Sequence, residues 1–92
     1  MAADALQMGM LYKVYEDNDF DNCVNALASK MAEMPTYGLA LTKQALNNSL
    51  TSDLNRQLSI EEELQTLAGQ SYDYNEGVDS FLQKRPPSFK GK

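Results

Sequence analysis

The sequence predicts a mainly α-helical fold, with about four helices and one N-terminal strand. Apolar residues recur at helical spacing along most of the chain, as in Phe20, Val24, Leu27 and Met31, and this spacing places them on one face of a helix. Strand-forming residues are concentrated only in residues 10–15, whose loose alternation is typical of a strand. The predicted class is therefore mainly α, with one short strand.

The N-terminal residues are expected to form a helical turn and then the strand. The turn should cover residues 2–8 and end at Gly9, since glycine is the usual residue just after a helix. The strand over residues 10–15 has no recognisable partner elsewhere in the sequence, and a single strand is not stable alone. It is therefore predicted to be an orphan strand.

Two helices should follow an acidic turn at residues 16–19. The first is predicted to end at Pro35, because the residue before a proline is pushed out of the helical region. The second is predicted to begin at Pro35 or Thr36, where the missing N–H of proline costs no helical hydrogen bond, and to run to residues 47–48.

The last two helices have start signals of the usual capping kind. The third should begin at Thr51 or Ser52 and stop near Gly69. The fourth should begin at Asp73, because Asp73 stands three residues before Glu76, at the spacing of a capping box. Two consecutive prolines forbid its continuation.

These elements divide the chain into three parts. Residues 1–15 hold the turn and the orphan strand and would end a core region. Residues 16–85 form a helical domain, and residues 86–92 form a basic tail that contains proline and glycine.

Length and composition exclude several classes of protein. The 92 residues suffice for one small domain. They include one cysteine and no histidine, which excludes an internal disulfide, a histidine-based active site and the usual zinc sites. No apolar run approaches the roughly 20 residues that cross a bilayer, and no signal peptide is recognisable. A soluble protein of a reducing compartment, with no membrane partner, is expected.

Charge is distributed unevenly around the net value of −5. Residues 1–83 carry all 13 acidic residues and four basic ones, whereas residues 84–92 carry four basic residues and no acid. Four cations make too narrow a cluster for nucleic acid, so no nucleic-acid partner is expected. An anionic small molecule suits this basic end better.

An aspartate pattern near the start of the first long helix could suggest calcium. Asp17, Asp19 and Asp21 match the opening of a calcium loop. The sixth position of the loop is Asn22 instead of glycine, and the twelfth is Ala28 instead of a bidentate glutamate. A solvated helix start is predicted here, and no metal site.

Two further patterns have simpler structural explanations. The run of residues 79–82, Asp-Ser-Phe-Leu, is similar to the phosphopantetheine attachment site of acyl carrier proteins, but only twelve residues follow Ser80. Cys23 has no histidine to activate it and is predicted to be a packed, inert thiol. No catalytic group is predicted within the chain.

The C-terminal segment, however, resembles a known family signature. Residues 71–91 read SYDYNEGVDSFLQKRPPSFKG and closely resemble the signature S-x-D-x-x-E-G-v-x-A-F-l-x-K-R-x-P-x-F-x-G of the enoyl-CoA hydratase/isomerase (crotonase) family. Residues 9–14 resemble the G-L-V-x-x-V strand of that family, and residues 34–43 resemble its proline-led helix. Residues 46–74 look most like bacterial ring-1,2-epoxyphenylacetyl-CoA isomerases of phenylacetate degradation.

The resemblance implies that the chain is the C-terminal helical, trimerisation part of a crotonase fold. The partners of the orphan strand and all catalytic residues would then lie in an N-terminal region outside the chain, which alone should be inactive. The whole enzyme would act on an acyl-CoA thioester as substrate, need no cofactor, form a homo-oligomer (a trimer or a dimer of trimers) and reside in a bacterial cytoplasm.

Two site residues follow from the resemblance position by position. Phe81 matches an aromatic residue that packs against CoA or the acyl chain, and Lys84 matches a lysine that meets the CoA phosphates. The structural alternative is that Phe81 is a core residue and Lys84 a helix-end cation. Ser80 replaces the usual alanine, and Gln65 stands where some hydratases have an aromatic residue that reaches the ligand.

A second function of another class remains open. The chain could be a stand-alone helical protein-interaction module with no catalytic parent. The orphan strand and the family-like C-terminal segment distinguish the two hypotheses, because an independent module needs neither.

Overall fold

The computed structural model describes all 92 residues and contains five α-helices and no β-strand. The predicted mainly α-helical class is confirmed, and the predicted N-terminal helical turn is the first of the five helices. None of them is both long enough and apolar enough to cross a membrane. The helices are α1 (Ala2–Gln7), α2 (Asp17–Ala32), α3 (Thr36–Ser49), α4 (Leu54–Gly69) and α5 (Tyr72–Leu82).

The predicted orphan strand is wrong. Residues 10–15 have irregular backbone between α1 and α2, and Met10 and Tyr12 are 74% and 78% exposed. A strand is defined by hydrogen bonds to a neighbouring strand, and the chain provides no neighbour. Strand-forming side chains therefore do not make a strand here.

The chain separates into two compact units, Met1–Lys30 and Met31–Lys92. The first contains α1 and most of α2, and none of its residues is buried. As predicted, Gly9 stops the N-terminal helical turn: it follows Met8, the C-cap of α1, and has a φ of +75°. The N–H of Gly9 donates to Leu6 C=O (3.1 Å), and the N–H of Met10 donates to Ala5 C=O (2.9 Å). This pair of bonds is a Schellman motif, in which glycine adopts the left-handed conformation at little cost.

The second unit is built on α3 and α4, which pack against each other. Its buried apolar residues are Leu41 of α3 and Leu64 of α4. The Gln57 Nε2 group of α4 donates to Ala45 C=O of α3 at 3.0 Å. The start of α3 at Thr36, directly after Pro35, agrees with the prediction.

The start of α4 differs from the predicted one. Asp53 is its N-cap, and Asp53 Oδ1 accepts from the N–H of Arg56 at 2.8 Å. Thr51 lies in the turn that follows α3, where its N–H donates to Asn48 C=O at 3.2 Å. An aspartate in extended backbone conformation serves as the N-cap instead.

The predicted capping box of α5 is also wrong. Ser71 is the N-cap, and its Oγ accepts from the N–H of Tyr74 at 3.0 Å. Asp73 lies inside the first turn and is only 3% exposed. Its carboxylate and that of Glu76 are therefore engaged elsewhere.

Both carboxylates bind backbone N–H groups of residues 86–92, which we call the C-terminal strap. Glu76 Oε1 accepts from Ser88 N (2.9 Å), Asp73 Oδ1 from Lys90 N (2.7 Å) and Asp73 Oδ2 from Gly91 N (2.9 Å). The N–H of Asp73 donates in turn to Lys92 C=O at 3.0 Å. The strap thus runs back along α5 toward the start of the helix.

Gly91 is required at the end of the strap. Its φ is +72°, and a Cβ added there would lie 2.7 Å from Thr36 Oγ1. Any larger residue would meet both backbone strain and this hydroxyl group, which belongs to the first turn of α3. The strap therefore ends in close contact with α3.

A bidentate ion pair fixes the beginning of the strap. Arg85 NH1 and NH2 donate to the two carboxylate oxygens of Glu76 at 2.5 and 3.0 Å. The bonds from Arg85 and from the N–H of Ser88 lower the pKa of Glu76 from 4.5 to about 2, because they stabilise the ionised form. The same hydrogen bond raises the pKa of Arg85.

Replacing the buried carboxylate of α5 that binds the strap should loosen the end of the strap. In Asp73→Asn, the amide nitrogen would face one of two N–H donors, so one charge-assisted bond is lost. We expect hydrogen exchange of the Lys90 and Gly91 amides to become about tenfold faster or more. The matched control is Asp79→Asn, an exposed acid of the same helix without a side-chain hydrogen bond. Equal exchange in Asp73→Asn and the unsubstituted chain would contradict this role.

Glu76 should make the strap sensitive to acid. Since its pKa is lower in the folded chain than its ordinary value of 4.5, its stabilisation is fully present above that value. It is lost as the pH falls through about 2. The difference in unfolding free energy between the unsubstituted chain and Glu76→Gln should therefore shrink from pH 6 to pH 2. Urea titrations at several pH values measure it, with the exposed Glu62→Gln as control. A constant difference would refute the assignment.

Candidate functional site

The two predicted site residues lie together at the C-terminal end of α5. Phe81 is in the last turn of the helix and Lys84 follows it, with the N–H of Lys84 donating to Phe81 C=O at 3.2 Å. The Phe81 side chain is not a core residue, since Phe81 is 82% exposed. Lys84 is exposed and forms no ion pair.

An apolar groove lies beside α5, and Phe81 forms part of its wall. The groove encloses about 520 Å³ and is bounded by α5, the start of α3, the end of α4 and the C-terminal strap. Phe89 of the strap lines it as well, and the Phe89 ring lies close to Gly77 of α5. The strap therefore completes the groove. Its apolar lining residues are Pro35, Gly38, Ala68, Gly77, Val78, Phe81, Leu82 and Phe89.

A second cavity, of about 420 Å³, lies between α3 and α4. Gln65 lines it together with Glu61 and the buried Leu41 and Leu64. Gln57 also lines it, and the Gln57 Nε2 group bonds both Ala45 C=O and Glu61 Oε1 at 3.0 Å. This cavity holds more polar side chains than the groove beside α5.

Lys84 has an unusual backbone conformation. Its φ is 54°, which makes it the only non-glycine residue of the chain with a positive φ. The N–H of Arg85 donates to Ser80 C=O at 3.0 Å, and the N–H of Lys84 donates to Phe81 C=O at 3.2 Å. These two bonds form a second Schellman motif, with lysine at the position that glycine usually takes. The turn directs the strap back along α5.

The four cations of the C-terminal end differ in their surroundings. The guanidinium group of Arg85 is neutralised by Glu76. The ammonium group of Lys90 lies 4.5 Å from the centroid of the Tyr72 ring, a cation–π distance. Lys84 forms neither an ion pair nor a cation–π contact.

The other candidates from the sequence do not form a site. No three acidic or cysteine side chains lie close enough together to hold a metal ion. Ser80 is 4% exposed, and its hydroxyl group donates to Gly77 C=O at 3.0 Å, so it packs inside the unit. Cys23 is a partly buried free thiol.

Sequence reasoning missed the contributions of Asp73, Glu76 and Phe89. The two acids were assigned to a helix cap because of their spacing, whereas both bind the strap. A signal for this arrangement was present in the two prolines and the glycine that follow the helix, since an extended segment leaves backbone N–H groups in need of acceptors.

Comparisons with known proteins give the family. The model of the enoyl-CoA hydratase/isomerase family matches residues 1–92. The chain is 45% identical over 91 residues to a 1,2-epoxyphenylacetyl-CoA isomerase of Escherichia coli K12, covering 99% of this chain and 35% of that protein. It is 38% identical over 91 residues to a 2,3-dehydroadipyl-CoA hydratase of the same strain, covering 99% of this chain and 36% of that protein.

A solved structure agrees with the sequence relatives. A crystal structure of an enoyl-CoA hydratase from Geobacillus kaustophilus HTA426 superposes with a TM-score of 0.86 and 33% identity, over 98% of this chain and 34% of that one. The chain thus spans about a third of the length of the relatives it matches. The groove beside α5 and the strap that completes it are therefore features of a member of the enoyl-CoA hydratase/isomerase family, to which this chain belongs.

Proposed function

We propose that this chain is the C-terminal helical part of an acyl-CoA isomerase, in which it forms part of the CoA-binding cover and contributes to subunit assembly. The observation that carries the proposal is the apolar groove beside α5, with the exposed Phe81 ring in its wall and an unpaired lysine, Lys84, in the turn that directly follows the helix. An apolar surface next to a cation suits an acyl-CoA, whose acyl chain is apolar and whose nucleotide end carries phosphates.

Within this proposal, Phe81 and Lys84 have separate tasks. Phe81 presents an aromatic face to CoA or to the acyl chain. Lys84 presents a compact positive charge on a flexible stem, which suits a phosphate group. No cofactor is needed, since the CoA thioester is the substrate.

Catalysis is proposed to reside outside these residues. Stabilising a thioester enolate requires preorganised hydrogen-bond donors and groups that move protons. The groove offers aromatic and aliphatic side chains for ligand binding, and its one acidic lining residue, Asp73, is engaged with the strap. The remaining two-thirds of the length of the relatives would supply the catalytic groups.

The isomerase reaction is the narrower part of the proposal. Its support is the 45% identity to a protein named 1,2-epoxyphenylacetyl-CoA isomerase, against 38% to a protein named 2,3-dehydroadipyl-CoA hydratase. We therefore favour an isomerase of phenylacetate catabolism. The bacterial sources of these relatives support a place in the bacterial cytoplasm.

The assembly role rests on exposed apolar side chains. Each of the last three helices has leucines or aromatic residues in contact with water, which is costly unless a partner covers them. We propose that neighbouring parts of a trimer, or of a dimer of trimers, cover these residues. The most exposed are Leu46, Leu50, Leu54, Phe81 and Leu82, at 65%, 84%, 73%, 82% and 71%.

The same exposed residues favour a second candidate, a stand-alone helical interaction module. The reading frame around this sequence separates the two. The first proposal requires the remainder of an enoyl-CoA hydratase/isomerase sequence upstream of Met1, whereas the module requires none. A frame that encodes no such sequence would overturn the first proposal.

The isolated 92-residue chain should have no isomerase or hydratase turnover and should bind CoA weakly or not at all. It should also self-associate or remain partly molten, because its apolar surface has no cover. Activity assays with acyl-CoA substrates and analytical ultracentrifugation of the purified chain test both points. Turnover by the chain alone would contradict the first, and a rigid, well-behaved monomer would contradict the second.

In the full-length enzyme, Lys84→Ala should raise the KM for acyl-CoA more than it lowers kcat. The phosphate contact is remote from the reacting carbons, so it stabilises the bound substrate and the transition state alike. We expect a KM increase of about tenfold, the value of one charged contact. Steady-state kinetics measure it, with Lys13→Ala, a lysine of the first unit, as control. An unchanged KM would leave Lys84 as a helix-end cation.

A further inference from the structure

The chain uses the same helix ending twice, with different residues at its central position. In the Schellman motif after α1 the left-handed residue is Gly9, with a φ of +75°. In the motif after α5 it is Lys84, with a φ of 54°. The two hydrogen bonds are equivalent in both motifs. Lysine pays a steric cost in this conformation that glycine does not.

A backbone conformation that is costly for its residue points to a use for the side chain. Glycine would satisfy the turn equally well, so the turn itself does not explain the lysine. The left-handed backbone changes the direction in which Cβ leaves the chain, and with it the region that the ammonium group can reach. Whatever holds the turn therefore also directs the Lys84 side chain.

The residues that precede and follow Lys84 in the chain are held by hydrogen bonds. Arg85 Nε donates to Gln83 Oε1 at 2.8 Å, so the residues on either side of Lys84 are joined to each other. The same guanidinium group is held by both oxygens of Glu76, whose side chain is only 10% exposed. The N–H of Ser88 donates to Glu76 as well. Glu76 thereby fixes the chain one residue and four residues beyond Lys84.

We propose that Glu76 is a positioning residue for phosphate recognition, which orients Lys84 by holding Arg85 and the start of the C-terminal strap. This inference rests on the proposed function, since it takes Lys84 as the residue that meets the CoA phosphates. It makes a prediction opposite to that of simple electrostatics. Glu76 is an acid near the basic end, and removing an acid should strengthen the binding of an anion. Removing a positioning residue should weaken it.

The test measures binding by calorimetry in the full-length protein encoded by the reading frame that contains this sequence. The two probes are coenzyme A and pantetheine, which lacks the three phosphates and the adenosine of coenzyme A. Lys84→Ala should weaken coenzyme A binding about tenfold, and Glu76→Gln about three- to tenfold. Neither should change pantetheine binding, because a misdirected ammonium group affects only the phosphate contact.

Two further variants show whether Glu76 acts through Lys84. Arg85→Lys keeps the positive charge but loses the bidentate hydrogen bonds to Glu76. Its coenzyme A affinity should therefore be lowered as in Glu76→Gln. In the double variant of Lys84→Ala with Glu76→Gln, coenzyme A binding should be no weaker than in Lys84→Ala alone. The control is Asp79→Asn, which removes an exposed acid of the same helix that holds no residue of the strap; by simple electrostatics it should leave coenzyme A binding equal or stronger relative to pantetheine binding.

The outcomes separate this inference from the proposed function. If Lys84→Ala weakens coenzyme A binding while Glu76→Gln leaves it equal or stronger, the inference fails and the proposed function stands. If Glu76→Gln weakens coenzyme A and pantetheine binding equally, Glu76 has only a structural role and the inference also fails. If Lys84→Ala changes neither affinity, the proposed phosphate contact itself is wrong.

Discussion

The binding of the C-terminal strap by two carboxylates of α5 is the interaction on which the rest of the second unit depends. The carboxylates of Asp73 and Glu76 accept hydrogen bonds from three backbone N–H groups of the strap, and the backbone N–H of Asp73 donates one hydrogen bond to the strap. An extended segment cannot satisfy its own N–H groups, so it needs acceptors nearby. Because Asp73 is 3% exposed, these bonds also compensate the burial of its carboxyl group. The strap is therefore part of the fold.

The apolar groove beside α5 depends on the position of the strap. Phe89 lines the groove because residues 86–92 run back along α5, and they run back because Lys84 adopts the left-handed conformation. The bidentate contact between Glu76 and Arg85 holds that reversal. One set of polar contacts thus shapes an apolar surface and also holds the turn that contains Lys84.

The hydrophobic core of the chain is small, and most of its apolar side chains remain exposed. Leu41 and Leu64 are its only buried apolar residues, although 42% of the residues are apolar. Apolar surface that remains in water contributes nothing to folding free energy. In a chain with this balance, polar contacts such as those of the strap contribute much of the local order. The match to about a third of the length of its relatives agrees with this balance.

The sequence alone determined the helical class, several helix ends and the family. Apolar residues at helical spacing, and helix-ending residues such as Gly9 and Pro35, act on neighbouring residues of the chain, so their effects can be predicted from the sequence. The family signature is a sequence pattern and can be recognised without the tertiary structure. The orphan strand failed because a strand requires a neighbour. The capping box failed because the partners of Asp73 are 17 and 18 residues away in the chain. Only the tertiary structure shows that Asp73 and Glu76 bind the strap and that the chain reverses its direction at Lys84. The spacing of residues along a helix cannot show which N–H groups from distant parts of the chain lie close to that helix.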